Sequence, residues 1–242
     1  MEREWTERTR LLLGDEGAEK LRRSCVAVVG LGGVGAYAAE MLARAGVGSL
    51  ILVDNDEVGL TNLNRQLPAL HSTLGRPKTE VVSQRLADIN PEIVIYPVRE
   101  YLNESNVGSL LPRRPDFLVD AIDTLSPKIA LVQYCLSEGI PLVSSMGSGA
   151  KMDATKVRLA DISKTFQCPL AHMLRKRLHK LGIRSGFQAV FSEELPVRAS
   201  MILEESENKK SQTGTISYIP AVFGCVCAQA VVEHISGFAG NC

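Results

Sequence analysis

The 242-residue chain lacks most of the features that would assign a protein at a glance. Its formal net charge is zero, 27 Lys and Arg against 27 Asp and Glu, so no global basic field draws it to nucleic acid; only local patches remain open to that role. It has no C-x-x-C pair. Cys25, Cys135, Cys168, Cys225, Cys227 and Cys242 are spaced otherwise, which excludes a zinc ribbon or a thioredoxin-type site and leaves free thiols packed as small hydrophobes. Cys225 and Cys227, two apart on a predicted helix, point to different faces. The opening Met1-Glu2-Arg3-Glu4 is charged and carries no apolar signal core, which predicts a cytoplasmic location. No internal repeat is present. Nor is there a clean apolar run of the roughly 20 residues that span a bilayer. The nearest, 216–235, contains Pro220, Gly224 and Gln229 and ends near Glu233 and His234, so no membrane span is expected and a buried core helix is.

What is present is alternation. Short β-rich runs at 26–29, 50–53, 93–98, 117–121 and 141–145 are separated by helical patterns at 33–45, 77–89, 104–111 and 127–138. Pro77 suits a first helical turn, where its missing N–H costs nothing. This rhythm predicts an α/β fold: a Rossmann-like, doubly wound, mainly parallel sheet with helices on both faces, and a C-terminal extension of mixed strands and helices. The expected organisation is a single domain over 1–242. A helical lead-in (1–24) is anchored by Trp5 and Leu11 to Leu13, a nucleotide-binding core covers 25–150, and a substrate-facing part covers 151–242. Within the last, 147–149 (Gly-Ser-Gly) enters as a flexible hinge, 157–162 and 189–191 read as strands, 168–181 as a basic helix, and the polar 204–214 as a mobile loop.

The run Gly30-Leu31-Gly32-Gly33-Val34-Gly35 lies between the first strand and the first core helix. A glycine turn there lets backbone approach phosphate and aims helix N–H groups at it. Asp54 follows at the end of the second strand, where an acid holds ribose hydroxyls. These features alone fit NAD, FAD or ATP equally. The polar cluster that follows discriminates: Asp56, then Asn62, Asn64, Arg65 and Gln66, then Lys78. Hydride transfer has no need of Arg65 and Lys78 near phosphates, whereas attack on an α-phosphate does, because negative charge builds on the phosphoryl oxygens and on departing pyrophosphate. An acid to hold Mg2+ should stand just past a neighbouring strand, and Asp123 does. Taken singly, each residue also has a plain reading: Arg65 and Lys78 as solvated charges, Asp123 as a helix N-cap.

Together, Gly30 to Gly35, Asp54, Thr61 to Gln66, Pro77-Lys78 and Asp123 resemble the adenylation site of the ubiquitin-activating-type superfamily that includes the ThiF, MoeB and HesA proteins. The resemblance covers roughly 9–145. It implies ATP and Mg2+ as cofactors, with Gly33 and Asp54 on the nucleotide, Asn64, Arg65 and Lys78 on phosphates, and Asp123 on magnesium. Gly30, Gly32, Gly35, Asp56, Asn62 and Gln66 join the nucleotide-contacting set. Arg10, in Thr9-Arg10-Leu11-Leu12, matches an arginine that such homodimers insert into the partner's site; an ordinary surface charge is its other reading.

The superfamily adenylates carboxylates without naming which. One branch activates the C-terminal glycine of a ubiquitin-like sulfur carrier, and those activators carry two C-x-x-C pairs. The other, the tRNA threonylcarbamoyladenosine dehydratases, activates the threonine carboxylate of a modified tRNA adenosine and cyclises it with net loss of water. The stretches 161–170, 175–178, 190–194 and 213–220 resemble the second branch, with Cys168 standing where an Asp is usual. That likeness implies a tRNA substrate, with Lys164, Arg175, Lys176 and Lys180 as candidate contacts, and leaves open a sulfur-relay desulfurase as partner. A thioester role for Cys168 is a further, weaker alternative.

Overall fold

The computed structural model describes residues 4–202 and 212–238. Seven strands form one sheet: β1 (Cys25–Val29), β2 (Ser49–Val53), β3 (Val94–Val98), β4 (Phe117–Asp120), β5 (Leu142–Ser145), β6 (Val157–Asp161) and β7 (Gln188–Ser192). Their order is β3-β2-β1-β4-β5-β7-β6, parallel throughout except for β6, which runs antiparallel to β7 at one edge. The mainly parallel, doubly wound sheet is therefore as expected, and the C-terminal part contributes two strands to it. A small ribbon pairs β8 (Met201–Ile202) with β9 (Gln212–Thr213). Of the predicted loop 204–214, residues 204–211 lie outside the described residues, and 212–213 are strand.

The central strands are almost wholly apolar because both faces are covered, with polar residues confined to their ends: Ser49 in β2, Asp120 in β4, Ser144 and Ser145 in β5. Alternate residues go to opposite sides. Val26 and Val28 of β1 and Leu50 and Leu52 of β2 join a core with α1 (Glu7–Arg23), α2 (Gly35–Ala45), α3 (Lys78–Ile89) and α7 (Tyr218–Ser236). Cys25, Ala27, Val29 and Ile51 face a second core with α4 (Val107–Leu110), α5 (Leu125–Ser137) and α6 (Pro169–Lys180).

α7 is the one helix among the described residues long and apolar enough to cross a membrane, and the fold uses it as core. Ile219, Phe223, Cys227 and Val231, an i, i+4 stripe, are fully buried, and the helix packs on α2, α1 and the sheet. At about 1.5–3 kcal/mol for each large side chain buried, that stripe is worth several kcal/mol. Cys227 is buried and Cys225 exposed, as their spacing requires.

Three expectations need correction. Trp5, Leu11 and Leu12 are not anchors: they are 44%, 77% and 67% exposed, because Gly14 (φ 74°, ψ 169°) breaks α1 and only Leu13 and the second half, through Leu21, reach the core. The predicted helix 104–111 shrinks to α4, since Asn103 Oδ1 accepts from the N–H groups of Ser105 and Asn106 and forms a side-chain turn instead. The 147–149 segment is held at both ends instead of swinging free as a hinge: Met146 N donates to Val190 O at 2.8 Å, and Ala150 N to Gly214 O at 2.8 Å. Beside it the Glu194 carboxylate accepts from the N–H groups of Met152 and Asp153.

Candidate adenylation site

The strand order reverses its winding at β1 and β4, and loops after parallel strands leave the same edge, so the crevice for a ligand opens there. Gly30 follows β1, Asp54 follows β2 and Ala121 follows β4. The turn needs glycine for steric reasons. Gly30 has φ +91°, and a Cβ on it would lie 2.9 Å from Ala121 O; a Cβ on Gly35 would lie 1.8 Å from Gly30 O. The turn can close only without those side chains. It delivers the N-terminus of α2, which no side chain caps, into the crevice.

Asp54 locks the turn. Its Oδ2 accepts from Leu31 N at 2.6 Å and its Oδ1 from Asp56 N at 2.8 Å. Burial lifts its carboxyl above the ordinary aspartate range, and the Lys78 ammonium and these two N–H groups pull it only part of the way back. From Asp54 the chain runs out and returns: Val58 N donates to Arg76 O, Gly75 N to Val58 O and Lys78 N to Asp56 O, all within 2.9–3.0 Å. This strap places Lys78 in the first turn of α3, where the side chain is buried, 4% exposed, with Nζ 2.8 Å from Asp56 Oδ2. Asp56 itself is exposed and serves here as the partner of Lys78.

The 61–66 segment lies over the glycines. Arg65 packs its stem and carbonyl against Gly33, and its guanidinium donates to Thr61 O and to Asn64 Oδ1. Asn64 Nδ2 donates to Thr215 O, tying this segment to the stretch before α7. Asn62 Oδ1 accepts from Gly59 N, capping a turn of 3-10 helix. Gln66 lies against Gly32, and its Oε1 is buried with no hydrogen-bond partner. An orphaned acceptor costs about 1–3 kcal/mol and marks a position awaiting a donor.

Asp123 lies exposed in the loop between β4 and α5. It is not the N-cap of α5; that position is Thr124. No group of three His, Cys, Asp or Glu side chains suited to a metal occurs among the described residues. A magnesium ion carried by a triphosphate needs only one or two carboxylates beside the phosphate oxygens, so the lack of such a cluster does not count against one. The cradle, the two cations and the orphaned acceptor fit a nucleoside triphosphate.

Arg10 is not brought to this crevice. It sits on α1, ion-paired with Asp15 at 3.6 Å, in a cleft of about 1010 Å³ lined also by Gly46, Ser49, Asn90 and Val94, at the opposite edge of the sheet. Of the basic helix, Arg175 is half-buried and its guanidinium engages Thr165 Oγ1, while Lys176, Arg177 and Lys180 are exposed, as is Lys164. Cys168 is buried at the N-cap of α6, 4% exposed, a poor setting for a thioester nucleophile.

Sequence reasoning missed a buried network behind the site. Lys128 and Asp120, both 0% exposed, pair at 2.7 Å with Ser144 between them. One signal was available: Lys128 is the sole charge in the otherwise apolar Leu125–Ser137.

A doubly wound sheet with a glycine turn at its switch point, a carboxylate that locks the turn and the cations Arg65 and Lys78 beside it is the architecture of a nucleotide-dependent adenylating enzyme. The chain belongs to the ThiF family, whose model matches residues 6–241. It is 43% identical over 236 residues to a Bacillus subtilis tRNA threonylcarbamoyladenosine dehydratase, covering 94% of this chain and 93% of that protein. The E. coli tRNA N6-threonylcarbamoyladenosine dehydratase TcdA, solved in complex with ATP, superposes with a TM-score of 0.89 at 34% identity, covering 97% of this chain and 95% of that one. The E. coli molybdopterin-synthase adenylyltransferase is more distant, 36% identical over 153 residues, covering 63% of this chain and 61% of that protein.

Proposed function

We propose that the chain activates the threonine carboxylate of threonylcarbamoyladenosine in tRNA with ATP and closes it to the cyclic form. The observation that carries this reading is the near full-length likeness to the dehydratases, together with a crevice whose Arg65 and Lys78 suit phosphates. The sulfur-carrier reading has less support: its relative spans under two thirds of the chain, and the chain lacks C-x-x-C pairs.

The threonyl carboxylate oxygen attacks the α-phosphorus and pyrophosphate departs. Arg65 and Lys78 stabilise the charge that builds in this step, the first through a planar fork and the second as a point charge. Lys78 must exchange Asp56 for phosphate to do so. Asp54 holds the ribose, and Asp123 would hold magnesium, which neutralises phosphate charge. A nitrogen or oxygen of the same modified group then attacks the acyl-adenylate carbonyl. It loses its proton, AMP leaves with the former carboxylate oxygen, and the net change is loss of water. Tethering makes this second step effectively unimolecular.

The enzyme works as a homodimer in the cytoplasm in this reading. Arg10 reaches the partner's crevice, which accounts for its distance from its own, and the exposed Leu11 and Leu12 beside it supply apolar surface for that contact. A sulfur-relay desulfurase would be an accessory partner. Lys164, Lys176 and Lys180 contact tRNA, joined by the exposed Arg177, whereas the half-buried Arg175 is engaged by Thr165. No acidic residue occurs between Asp161 and Glu193, so this region is basic although the whole chain is neutral.

The direct test is nucleoside mass spectrometry of modified tRNA incubated with the protein, ATP and magnesium. The expected product is lighter by one water, with AMP and pyrophosphate formed in equal amounts. An unchanged nucleoside, with AMP formed only when a small Gly-Gly-ended protein is added, would favour the sulfur-carrier reading instead.

A further inference from the structure

The Asp120–Lys128 pair lies where β4 and β5 end, between the two apolar cores. Lys128 Nζ donates to Asp120 Oδ2 at 2.7 Å, to Ser144 Oγ at 3.0 Å and to Ser145 O at 3.0 Å, which uses all three of its protons. Ser144 Oγ in turn donates to Asp120 Oδ2 at 2.6 Å. The thiols of Cys135 of α5 on one face and Cys227 of α7 on the other are both pushed up to about 12, chiefly by burial; the Asp120 charge adds to it at Cys135, while at Cys227 the Lys128 charge opposes it and Asp120 adds a smaller push. The pair is thus enclosed by apolar groups, where an ion pair is often no better for stability than well-packed hydrophobic side chains. Its remaining acceptor points outward: Asp120 Oδ1 accepts from Ile122 N at 3.1 Å. On the other side of that loop, Ala121 N donates to Val29 O at 2.8 Å, and Ala121 O lies against Gly30.

We propose that Asp120 and Lys128 are positioning residues for the phosphate side of the adenylation site, acting through the 121–123 loop. One carboxylate oxygen is fixed from inside by Lys128 and Ser144, and the other holds the loop that seats the glycine turn and carries Asp123. The inference rests on the adenylation reading for its catalytic consequence, and on the geometry alone for its structural one.

The test compares wild type with the double variant Asp120→Asn/Lys128→Met, which leaves no charge stranded in the core. Ser144→Ala, which weakens the same network with a smaller change, serves as a second variant that keeps the fold. Hydrogen exchange without nucleotide is expected to quicken about tenfold or more at amides 121–124 in the double variant and about threefold in Ser144→Ala. Amides within β1 and β2 should keep wild-type rates. The magnesium concentration giving half-maximal AMP formation should rise several-fold, while AMP affinity stays within about twofold. Wild-type exchange at 121–124 together with wild-type magnesium dependence, in whichever variant folds, would overturn the proposal. If the wild type forms no AMP, the adenylation reading fails, and the exchange data still decide the positioning role.

Discussion

Asp54→Asn probes the part of the site where structure and chemistry depend on one side chain. The carboxylate accepts from Leu31 N with one oxygen and from Asp56 N with the other. An amide offers one oxygen, so one of those N–H groups must face an NH2 group, at a cost of about 1–3 kcal/mol. Removing a charge whose burial is unfavourable offsets part of that loss, so the melting point should fall by only a few degrees. The nucleotide loses more. A ribose hydroxyl bonded to a charged acceptor is worth about 1.5–3 kcal/mol, so the ATP dissociation constant should rise about 10- to 150-fold by calorimetry.

The pH dependence gives a second reading of the same change. Burial raises the Asp54 carboxyl in the folded state, so its contribution to stability is full below the unfolded value and lost as pH rises through the raised folded one. Ribose binding uses the ionised form, so ATP affinity should weaken as pH falls through that raised value, and Asp54→Asn should abolish this dependence. An unchanged ATP affinity near neutral pH, or an unaltered pH profile in the variant, would refute the assigned role.

Two further changes separate catalysis from folding and ATP binding from RNA binding. Lys78→Met leaves Asp56 with its carboxylate already in solvent but removes the cation that offsets the buried Asp54 charge, so thermal stability should fall by about 1–2 kcal/mol, while pyrophosphate release falls about 10²- to 10³-fold. A melt that collapses along with the activity would make Lys78 a structural residue. Replacing Lys164, Lys176 and Lys180 together by Ala should make the slope of log tRNA affinity against log salt shallower by about 2–3, with the KM for ATP unchanged. An unaltered slope would remove α6 from the RNA interface.

The sheet and the glycine turn were legible because each is encoded locally. Mostly apolar strands four or five residues long alternate with helical patterns, and the turn falls between the first such pair. Arg65 and Lys78 were legible as types, since cations after strands have few uses near a nucleotide. Partners set by the return of the strap were not: Lys78 meets Asp56 across 22 positions because the chain doubles back, and spacing alone does not encode that. Asp120 and Lys128 were hidden differently. Joining them to Ser144 requires the register that sets Asp120 opposite Ser144. At Trp5, Leu11 and Leu12 hydrophobicity does not mean burial, because the break at Gly14 turns that segment off the core.

The two sets of cations differ in how they are held, and that difference suits the two anions proposed for them. Lys78 and Arg65 are already engaged, one by an exposed carboxylate and the other by an amide and a carbonyl, so the crevice is ordered without a nucleotide. An ion pair with so exposed a partner is worth about 0–1 kcal/mol, little enough for a triphosphate of several charges to displace it. Lys176, Arg177 and Lys180 form no ion pair among the described residues and stand in solvent on a helix about 18 Å long. Such a row follows a phosphate backbone by counterion release and needs no fixed geometry. In the proposed reading, precise placement is confined to the crevice, where a bond is made and broken, and diffuse charge is left to the surface that would only have to hold the RNA.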